Sequence, residues 1–164
     1  MAIEKVRAAF AAAGMKERIC EFAESSATVE LAAKAVGCDP AQIVKTLSFR
    51  VGERVVLVAC AGDARVDNRK FKDFFGGKGK MLSPDEAETL VGHGVGGVCP
   101  FAVNEGVEVF LDGSIRRFDT VYPAAGSSNS AARLTPGELE RLAAPCSWAD
   151  VCKLPEAAEQ GNGW

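Results

Sequence analysis

The chain contains a single histidine, His93, and its six cysteines form no CxxC pair. Zinc sites in proteins draw on clustered cysteine and histidine ligands, so no metal-ligand set of the usual spacing is present. No P-loop pattern occurs, and the letters GHGVGG follow a predicted helix, whereas a dinucleotide fingerprint must follow a strand. These absences argue against a zinc site and against the common nucleotide-binding motifs.

Long hydrophobic runs and an excess of positive charge are also absent. No apolar run approaches the roughly 20 residues of a membrane-spanning helix, and charges interrupt the N-terminal segment where a signal peptide would be apolar. The cysteines lie among apolar or small residues, which favours reduced thiols over a disulfide framework. We therefore expect a cytoplasmic protein. Its net charge of −3 argues against a protein that coats DNA or RNA nonspecifically.

What the chain does have is the composition of an ordinary globular protein, with 48% hydrophobic and 25% charged residues. On folding, a chain of this length buries roughly 70% of the surface that its unfolded state exposes, so it needs no disulfide or structural metal for stability. We expect a single domain over residues 1–154. The run EAAEQGNGW after Pro155 is typical of a loose terminus, so residues 155–164 are predicted to form a tail.

Capping residues, hydrophobic periodicity and glycine stops predict the secondary structure. Side-chain oxygens that can cap helix starts are offered by Ser25, Ser26 and Thr28 before one helix, and by Asp39, Asp67, Ser83 and Thr135 before the later ones. Short helices are predicted at residues 3–13, 29–36, 40–42, 68–75, 84–92 and 136–142. Strands are predicted at residues 18–22, 107–112, 119–126, 130–134 and 147–152, with a hairpin over 44–60. Because strands and helices interleave without a regular βαβ repeat, the pattern favours an α/β (α+β) fold, a mixed-sheet domain with short surrounding helices.

Two segments carry the clearest chemical signal. Lys45 lies among apolar residues in QIVKTL, where an ammonium group is costly unless an anion or polar ligand meets it. The segment GVGGVCPF places three glycines before Pro100, and the backbone N–H groups of such a loop can turn toward a bound anion or carbonyl. Together they indicate a site for a small polar group. A lysine near a strand start also fits an edge residue whose ammonium reaches solvent.

Other charged and nucleophilic residues have two interpretations each. Segment 63–80 contains six basic residues and three aspartates, which fits a local basic patch or a solvated helix face. Asp112 precedes two arginines in a stretch that is more typical of a turn with exposed ion pairs than of a carboxylate dyad. Cys99 lies six residues after His93, so it fits a thiol nucleophile or a thiol that only packs in a loop.

A family resemblance rests on three stretches: KTL at 45–47, GGVCP at 96–100, and LDGSIRRFDTVYPAAGSSNSA further on. The chain resembles the YbaK and prolyl-tRNA-synthetase-associated editing-domain family from about Val29 to Leu142. The resemblance implies a free-standing aminoacyl-tRNA deacylase that hydrolyses the ester between a wrong amino acid and the 3′ adenosine of a tRNA, in translational proofreading. It implies no metal and no organic cofactor. The implied partners are the tRNA 3′ end and an aminoacyl-tRNA synthetase, with neither DNA nor a membrane.

The same resemblance implies roles for individual residues. Lys45 would hold the terminal adenosine or its phosphate. Loop N–H groups would stabilise the oxyanion of ester hydrolysis, at about 3 to 4 kcal/mol per donor. A water or a substrate group would attack the ester, so Cys99 is not assigned as nucleophile. The implied catalytic set is Lys45, Gly96, Gly97, Val98 and Cys99. The implied substrate-binding set is Thr46, Pro100, Asp112, Tyr122, Gly126 and Ser127.

The sequence departs from the alanine-directed branch of this family, which has asparagine after the lysine and histidine before a later proline. Thr46 and Tyr122 stand in those places. The departure disfavours alanine and favours cysteine, as in Cys-tRNA(Pro), or another small amino acid. Two alternatives stay open. One is a binding module that keeps the pocket without turnover, and the other is a thiol-dependent hydrolase that uses Cys99.

Overall fold

A six-stranded mixed sheet lies at the centre of the computed structural model, which describes residues 2–94 and 96–155. The strands are β1 (Ile19–Glu21), β2 (Ile43–Val51), β3 (Arg54–Ala61), β4 (Arg65–Val66), β5 (Lys80–Met81), β6 (Val107–Asp112), β7 (Tyr122–Pro123), β8 (Ser130–Ala132), β9 (Cys146–Ala149) and β10 (Cys152–Lys153). The helices are α1 (Ala2–Ala12), α2 (Val29–Val36), α3 (Asn68–Phe75), α4 (Pro84–Leu90) and α5 (Pro136–Leu142). Short 3₁₀ helices occur at Lys16–Arg18, Pro40–Gln42 and Gly113–Arg117.

The main sheet has the strand order β5-β2-β3-β6-β9, and β7 pairs with β2. Separate two-stranded sheets join β1 to β8 and β4 to β10. The predicted α/β (α+β) fold class with a mixed sheet is therefore confirmed. None of the described helices is long and apolar enough to cross a membrane. The predicted tail lies, beyond Pro155, outside the described residues.

The helices begin where the sequence supplies side-chain caps. Ser83 and Thr135 each accept a hydrogen bond from the N–H three residues on, and the glutamate at that position accepts one from the N–H of the cap. Thr28 and Asp67 cap α2 and α3 with their side-chain oxygens, and a left-handed glycine ends both helices. The predicted helix starts are confirmed because capping is a local property of the sequence.

Strand β3 is buried on both faces. It pairs antiparallel with β2 and parallel with β6, and β9 continues the sheet in parallel. Leu57 and Ala59 face a core cluster formed with α1, α4 and α5, while Val56 and Val58 face a second cluster formed with α3. Helices on both sides of the sheet explain why β3 is a continuous apolar run and does not alternate with polar residues.

Two strand predictions are wrong in their extent. The strand predicted at 119–126 contains only Tyr122–Pro123 within β7, because proline lacks the N–H that a ladder requires. The strand predicted at 147–152 is divided: β9 ends at Ala149, and β10 pairs with β4 in another sheet. Strands β4 and β5 were not predicted, since two residues show no periodicity.

Strand β2 has one fully paired edge and one edge with a gap. β3 pairs with one edge along almost the whole strand, whereas β7 pairs with the first two residues of the other edge and β5 with Phe49 and Arg50. On that second edge the Ser48 carbonyl accepts a hydrogen bond from the Leu82 N–H at 3.1 Å. Backbone groups of an antiparallel strand alternate in direction with period two. The N–H and C=O of Thr46 therefore also point to this edge, inside the gap.

The glycine-rich loop lies too close to its neighbours for side chains. A Cβ on Gly97 would lie 2.7 Å from the Ser127 nitrogen and 2.8 Å from the Gly126 carbonyl carbon, both main-chain atoms. Gly96 has a φ of +79°, and a Cβ there would lie 2.9 Å from the Ala27 Cβ. Glycine is therefore required at both positions, and the close contact fixes the loop against residues 126–127.

We expect Gly97→Ala to lower the free energy of unfolding by roughly 1–3 kcal/mol, because the new methyl group meets main-chain atoms that cannot rotate away. Gly137→Ala is the matched control, since a Cβ there meets no atom closer than 4.0 Å. In that variant we expect unchanged stability or a gain of about 0.4–1 kcal/mol. Urea unfolding measures both. Equal stability of Gly97→Ala and the wild type would contradict the close contact.

A second prediction concerns acid stability. Two hydrogen bonds of 2.6 and 3.0 Å join Arg18, after α1, to Glu138 in α5. Pairing with Arg18 lowers the pKa of Glu138 from 4.5 to about 2. Because the folded-state pKa lies below the unfolded one, the stabilisation is complete above the unfolded pKa and is lost as the pH falls toward the folded one.

We expect Glu138→Gln to remove most of this acid-dependent loss of unfolding free energy. Glu140→Gln, on the exposed side of the same helix, is the control and keeps the wild-type pH dependence. The measurement is a series of urea unfolding curves across that acid range. If the unfolding free energy of Glu138→Gln kept the wild-type pH dependence, the Arg18–Glu138 ion pair would contribute nothing to the loss of stability in acid.

Candidate functional site

A cavity of about 250 Å³ opens at the gap in the edge of β2. Strand β2 contributes its first half, and the segment that enters α2, the glycine loop and the chain around β7 and β8 complete the walls. The described lining residues are Ser26, Ala27, Thr28, Val29, Ala32, Ile43, Val44, Lys45, Thr46, Leu47, Gly96, Val98, Tyr122, Ala124, Ser130 and Ala131. Five of the predicted site residues meet here, namely Lys45, Thr46, Gly96, Val98 and Tyr122.

Lys45 is half-buried in the third position of β2. Its Nζ donates a hydrogen bond of 3.3 Å to the Gly62 carbonyl. Among the described residues, no carboxylate forms a salt bridge with this ammonium group. An ammonium group has three donors, so two remain for an anion or a carbonyl in the cavity.

Thr46 brings unpaired polar groups to the same cavity. Its hydroxyl oxygen is buried and has no hydrogen-bond partner in the part of the chain that the structure describes. Its backbone N–H and C=O face the gap between β7 and β5. A buried polar group without a partner costs about 1–3 kcal/mol. The cavity therefore holds hydrogen-bonding capacity that a ligand with matching groups would satisfy.

The glycine loop contains backbone N–H groups that have no acceptor among the described residues. The Gly97 N–H is already bonded to the Gly94 carbonyl at 3.1 Å, which closes a tight turn. For Gly96, Val98 and Cys99, no described residue accepts a hydrogen bond from the backbone N–H. Gly96 and Val98 also line the cavity, so their N–H groups are the best placed to donate to a carbonyl oxygen of a ligand.

His93 and Cys99 lie together, but both are fully buried and outside the cavity lining. The Cys99 sulfur lies 3.5 Å from Nε2 of His93, and the Phe101 carbonyl oxygen lies 2.7 Å from the same nitrogen. A carbonyl only accepts, so Nε2 carries the proton and cannot act as a base toward the thiol. Burial raises the pKa of the Cys99 thiol to about 12 and lowers the pKa of His93. The geometry thus argues against a thiol-dependent hydrolase.

Three other predicted residues lie behind the cavity wall. Pro100 is buried at the end of the glycine loop. Gly126 and Ser127 support Gly97 from behind through the close main-chain contact described above. The Ser127 hydroxyl also donates a hydrogen bond of 2.7 Å to the hydroxyl of Ser130, which lines the cavity. These residues fix the shape of the wall.

Asp112 does not lie at this cavity. Its carboxylate accepts hydrogen bonds of 2.9 Å from the N–H groups of Ser114 and Val151, so it caps the 3₁₀ helix that follows β6. It lines a different cavity of about 980 Å³. The ion pair found here differs from the expected ones, because Arg117 contacts Asp63, which lies outside this stretch, at 2.5 Å. The structure thus gives Asp112 a capping role and separates it from Lys45.

The wall before α2 was missed by the sequence reasoning. Thr28 was expected only as a helix cap, and it does cap α2. The segment that contains Thr28 also forms part of the cavity wall. Ala124 and Ala131 form the opposite wall and are joined by an isolated β-bridge. The available signal was the small-residue composition of SSAT and AAGSSNSAA, because small side chains beside a strand leave room for a ligand.

Known proteins resemble this chain over most of its length. Residues 23–142 match the aminoacyl-tRNA editing domain family. Protein YwhH of Bacillus subtilis (strain 168) is 47% identical over 154 residues, which are 93% of this chain and 98% of YwhH. A proline–tRNA ligase of Bacillus cytotoxicus is 31% identical over 136 residues, and the matched part is 82% of this chain but only 24% of the ligase.

A solved structure agrees with these relationships. It is described as a candidate trans-editing enzyme for prolyl tRNA synthetase, and it superposes with a TM-score of 0.83 at 30% identity, covering 93% of this chain and 97% of that one. The resemblance to the YbaK and prolyl-tRNA-synthetase-associated editing domains is thereby confirmed. The family match at 23–142 covers most of the chain and includes every described residue that lines the cavity. The chain therefore belongs to the family of aminoacyl-tRNA editing domains.

Proposed function

We propose that this protein is a free-standing aminoacyl-tRNA deacylase that removes a small, wrongly attached amino acid from the 3′ adenosine of a tRNA. The observation that carries the proposal is that Lys45, Thr46 and Val98 line one cavity at the partly unpaired edge of β2. The similarity to part of a proline–tRNA ligase and to a candidate trans-editing enzyme supports tRNA(Pro) as the tRNA. Such a role belongs to translational proofreading, with the cytoplasm as the expected location.

The loop supplies the main catalytic interaction in this proposal. When water adds to the ester, negative charge develops on the carbonyl oxygen. Gly96 and Val98 line the cavity, and no described residue accepts a hydrogen bond from their N–H groups, so we assign these groups as donors to that oxygen. A preorganised donor of this kind contributes about 3 to 4 kcal/mol to transition-state stabilisation. The close contact of Gly97 with residues 126–127 keeps the donors in place before the substrate arrives.

Lys45 binds the nucleotide end of the substrate. Its ammonium group is oriented by the Gly62 carbonyl and has free donors for the terminal adenosine or its phosphate. The described lining residues include no histidine and no carboxylate. The attacking water therefore loses its proton to solvent or to a group of the substrate, and positioning plus oxyanion stabilisation provide the rate enhancement.

The cavity walls favour a small amino acid. Four alanines line the cavity, whose volume is about 250 Å³. The Thr46 hydroxyl adds one polar group that a thiol or hydroxyl on the ligand would satisfy. Thr46 and Tyr122 also replace the residues of the alanine-directed branch. We propose cysteine, or another small amino acid other than alanine, as the group removed, with discrimination of about 1–3 kcal/mol per methylene.

The direct test is a deacylation panel. Purified protein is incubated with tRNA(Pro) charged with alanine, cysteine, serine, threonine or proline, and loss of the ester is followed against buffer. We expect hydrolysis of a small-residue ester, cysteine first, and retention of the cognate proline ester. No hydrolysis of any ester, together with binding of a nonhydrolysable aminoacyl-adenosine, would show that the protein is a binding module.

We expect Lys45→Met to lower kcat/KM for the hydrolysed ester roughly 10- to 100-fold, because the substrate loses one charge-assisted hydrogen bond while the apolar stem is kept. Lys34→Met is the control, since Lys34 is exposed on α2 and outside the cavity lining. Thermal unfolding checks that both variants fold. Wild-type kinetics in Lys45→Met would remove Lys45 from the site.

Thr46→Val separates a ligand-binding hydroxyl from a structural one. Because the hydroxyl is buried without a partner, we expect the valine variant to be as stable as the wild type or more stable, by up to about 1 kcal/mol. We expect kcat/KM to fall roughly 5- to 10-fold, since the substrate loses a hydrogen bond. Thr89→Val, at an exposed position of α4, is the control. Reduced stability with unchanged kinetics would contradict this role.

A further inference from the structure

A separate groove on the α3 side of the sheet lies further along β2 than the cavity. Lys45, Leu47 and Phe49 share one face of β2 because side chains alternate along a strand. Leu47 lines the cavity, Phe49 lines the groove, and both pack in the core cluster that contains Phe71 of α3. The groove has a volume of about 660 Å³. About 13 Å of strand separates Lys45 from the groove at Phe49.

Three cations give the groove a positive charge. Arg69 and Lys72 are three residues apart on α3 and lie on one face of that helix, and Lys78 follows in the turn before β5. None of the three forms a salt bridge with a carboxylate of the described residues. Asp73 is the one carboxylate in the described lining, so an excess of two positive charges remains.

Three other cations, by contrast, are each held by a carboxylate. Lys70, on the same helix, forms an ion pair of 3.1 Å with Asp150 and donates to the Cys152 carbonyl. Arg54 and Arg117 each form a bidentate pair with a carboxylate. Unpaired like charges on one surface repel one another, and a bound anion relieves that repulsion. The protein, whose net charge is −3, thus places three cations without a described carboxylate partner along this groove.

The floor of the groove is held in shape by aromatic packing. The rings of Phe49 and Phe71 lie with their centroids 4.8 Å apart. Gly79 passes directly over them, since a Cβ there would lie 2.5 Å from the Phe71 ring. The backbone therefore stays close to the floor, and the cations line a groove whose shape exists before any ligand binds.

We propose that this groove binds the single-stranded 3′ end of the tRNA and contacts the phosphates of the nucleotides before the terminal adenosine. The inference rests on the proposed function, which places that adenosine at Lys45. A strand that leaves the cavity past Leu47 enters the groove at Phe49. Its phosphates then meet Arg69, Lys72 and Lys78, and positive grooves of this kind bind single strands without reading their sequence.

The test measures binding of a short single-stranded RNA ending in CCA to the full chain, by fluorescence anisotropy over a salt series. The groove variant carries Arg69→Gln, Lys72→Gln and Lys78→Gln. The control carries Lys5→Gln, Lys16→Gln and Arg133→Gln, at exposed positions outside the described linings of cavity and groove.

We expect the Kd of the groove variant to rise roughly tenfold and the slope of log K against log salt to become shallower by about 2, since each lost contact with single-stranded RNA removes about 0.7. The control stays within about twofold of the wild type. An unchanged Kd and slope in the groove variant would overturn the proposal. So would binding of poly-glutamate without binding of RNA, which would assign the groove to an acidic protein.

Deacylation assays separate this inference from the proposed function. The groove variant is expected to hydrolyse aminoacyl-adenosine, which lacks the preceding phosphates, at the wild-type rate, and to lose roughly tenfold in kcat/KM with misacylated tRNA. An equal loss with both substrates would contradict the groove assignment. Groove-dependent RNA binding without hydrolysis of any ester would contradict the proposed function and support the groove assignment.

Discussion

The partial pairing of β2 is the constraint on which the site depends. One edge of this strand is paired by β3, whereas β7 and β5 pair only with the ends of the other edge, so the backbone groups of Thr46 stay free between them. The unpaired N–H and C=O groups of a strand edge can form backbone hydrogen bonds with another chain, and proteins usually cover such an edge. Here the segment before α2 and the glycine loop stand off from the edge, and a cavity takes the place of a neighbouring strand.

The described lining of the cavity contains no histidine and no carboxylate that could act as a general base. In the proposed function, hydrogen-bond donors of the main chain provide the catalytic interaction instead. The one histidine is buried against Phe101 and Cys99, away from the cavity. The cavity is lined by Gly96 and Val98 of the glycine loop, whose N–H groups have no described acceptor, by Thr46, and by Lys45, which supplies the positive charge. Lys45 also shares a face of β2 with Phe49 of the α3 groove, and this shared face is the basis for the proposed path of the RNA end.

Local features of the structure were predictable from the sequence, and long-range ones were not. The caps at Thr28, Asp67 and Ser83 and the β2–β3 hairpin depend on neighbouring residues, and each lies where its pattern placed it. The Lys45 and glycine-loop segments stood out in the sequence because a lysine among apolar residues and clustered glycines are unusual locally. The structure brings both segments to one cavity, and their role as site residues stays a prediction. The gap in the β2 edge depends on how short β5 and β7 are. The sequence did not predict β5 and predicted β7 as part of a much longer strand, because two paired residues show no periodicity of their own. Asp112 was placed in the site by resemblance, yet it caps a 3₁₀ helix elsewhere.

The most direct measurement of the central claim is a crystal structure with an amino acid linked to the 3′ position of adenosine by a nonhydrolysable amide. The account predicts that the amide carbonyl oxygen lies about 2.9 Å from the Val98 or Gly96 nitrogen, with the amino acid side chain among the cavity alanines and the nucleoside beside Lys45. A ligand bound in the wider cavity beside Asp112, or a carbonyl that points away from the glycine loop, would contradict it.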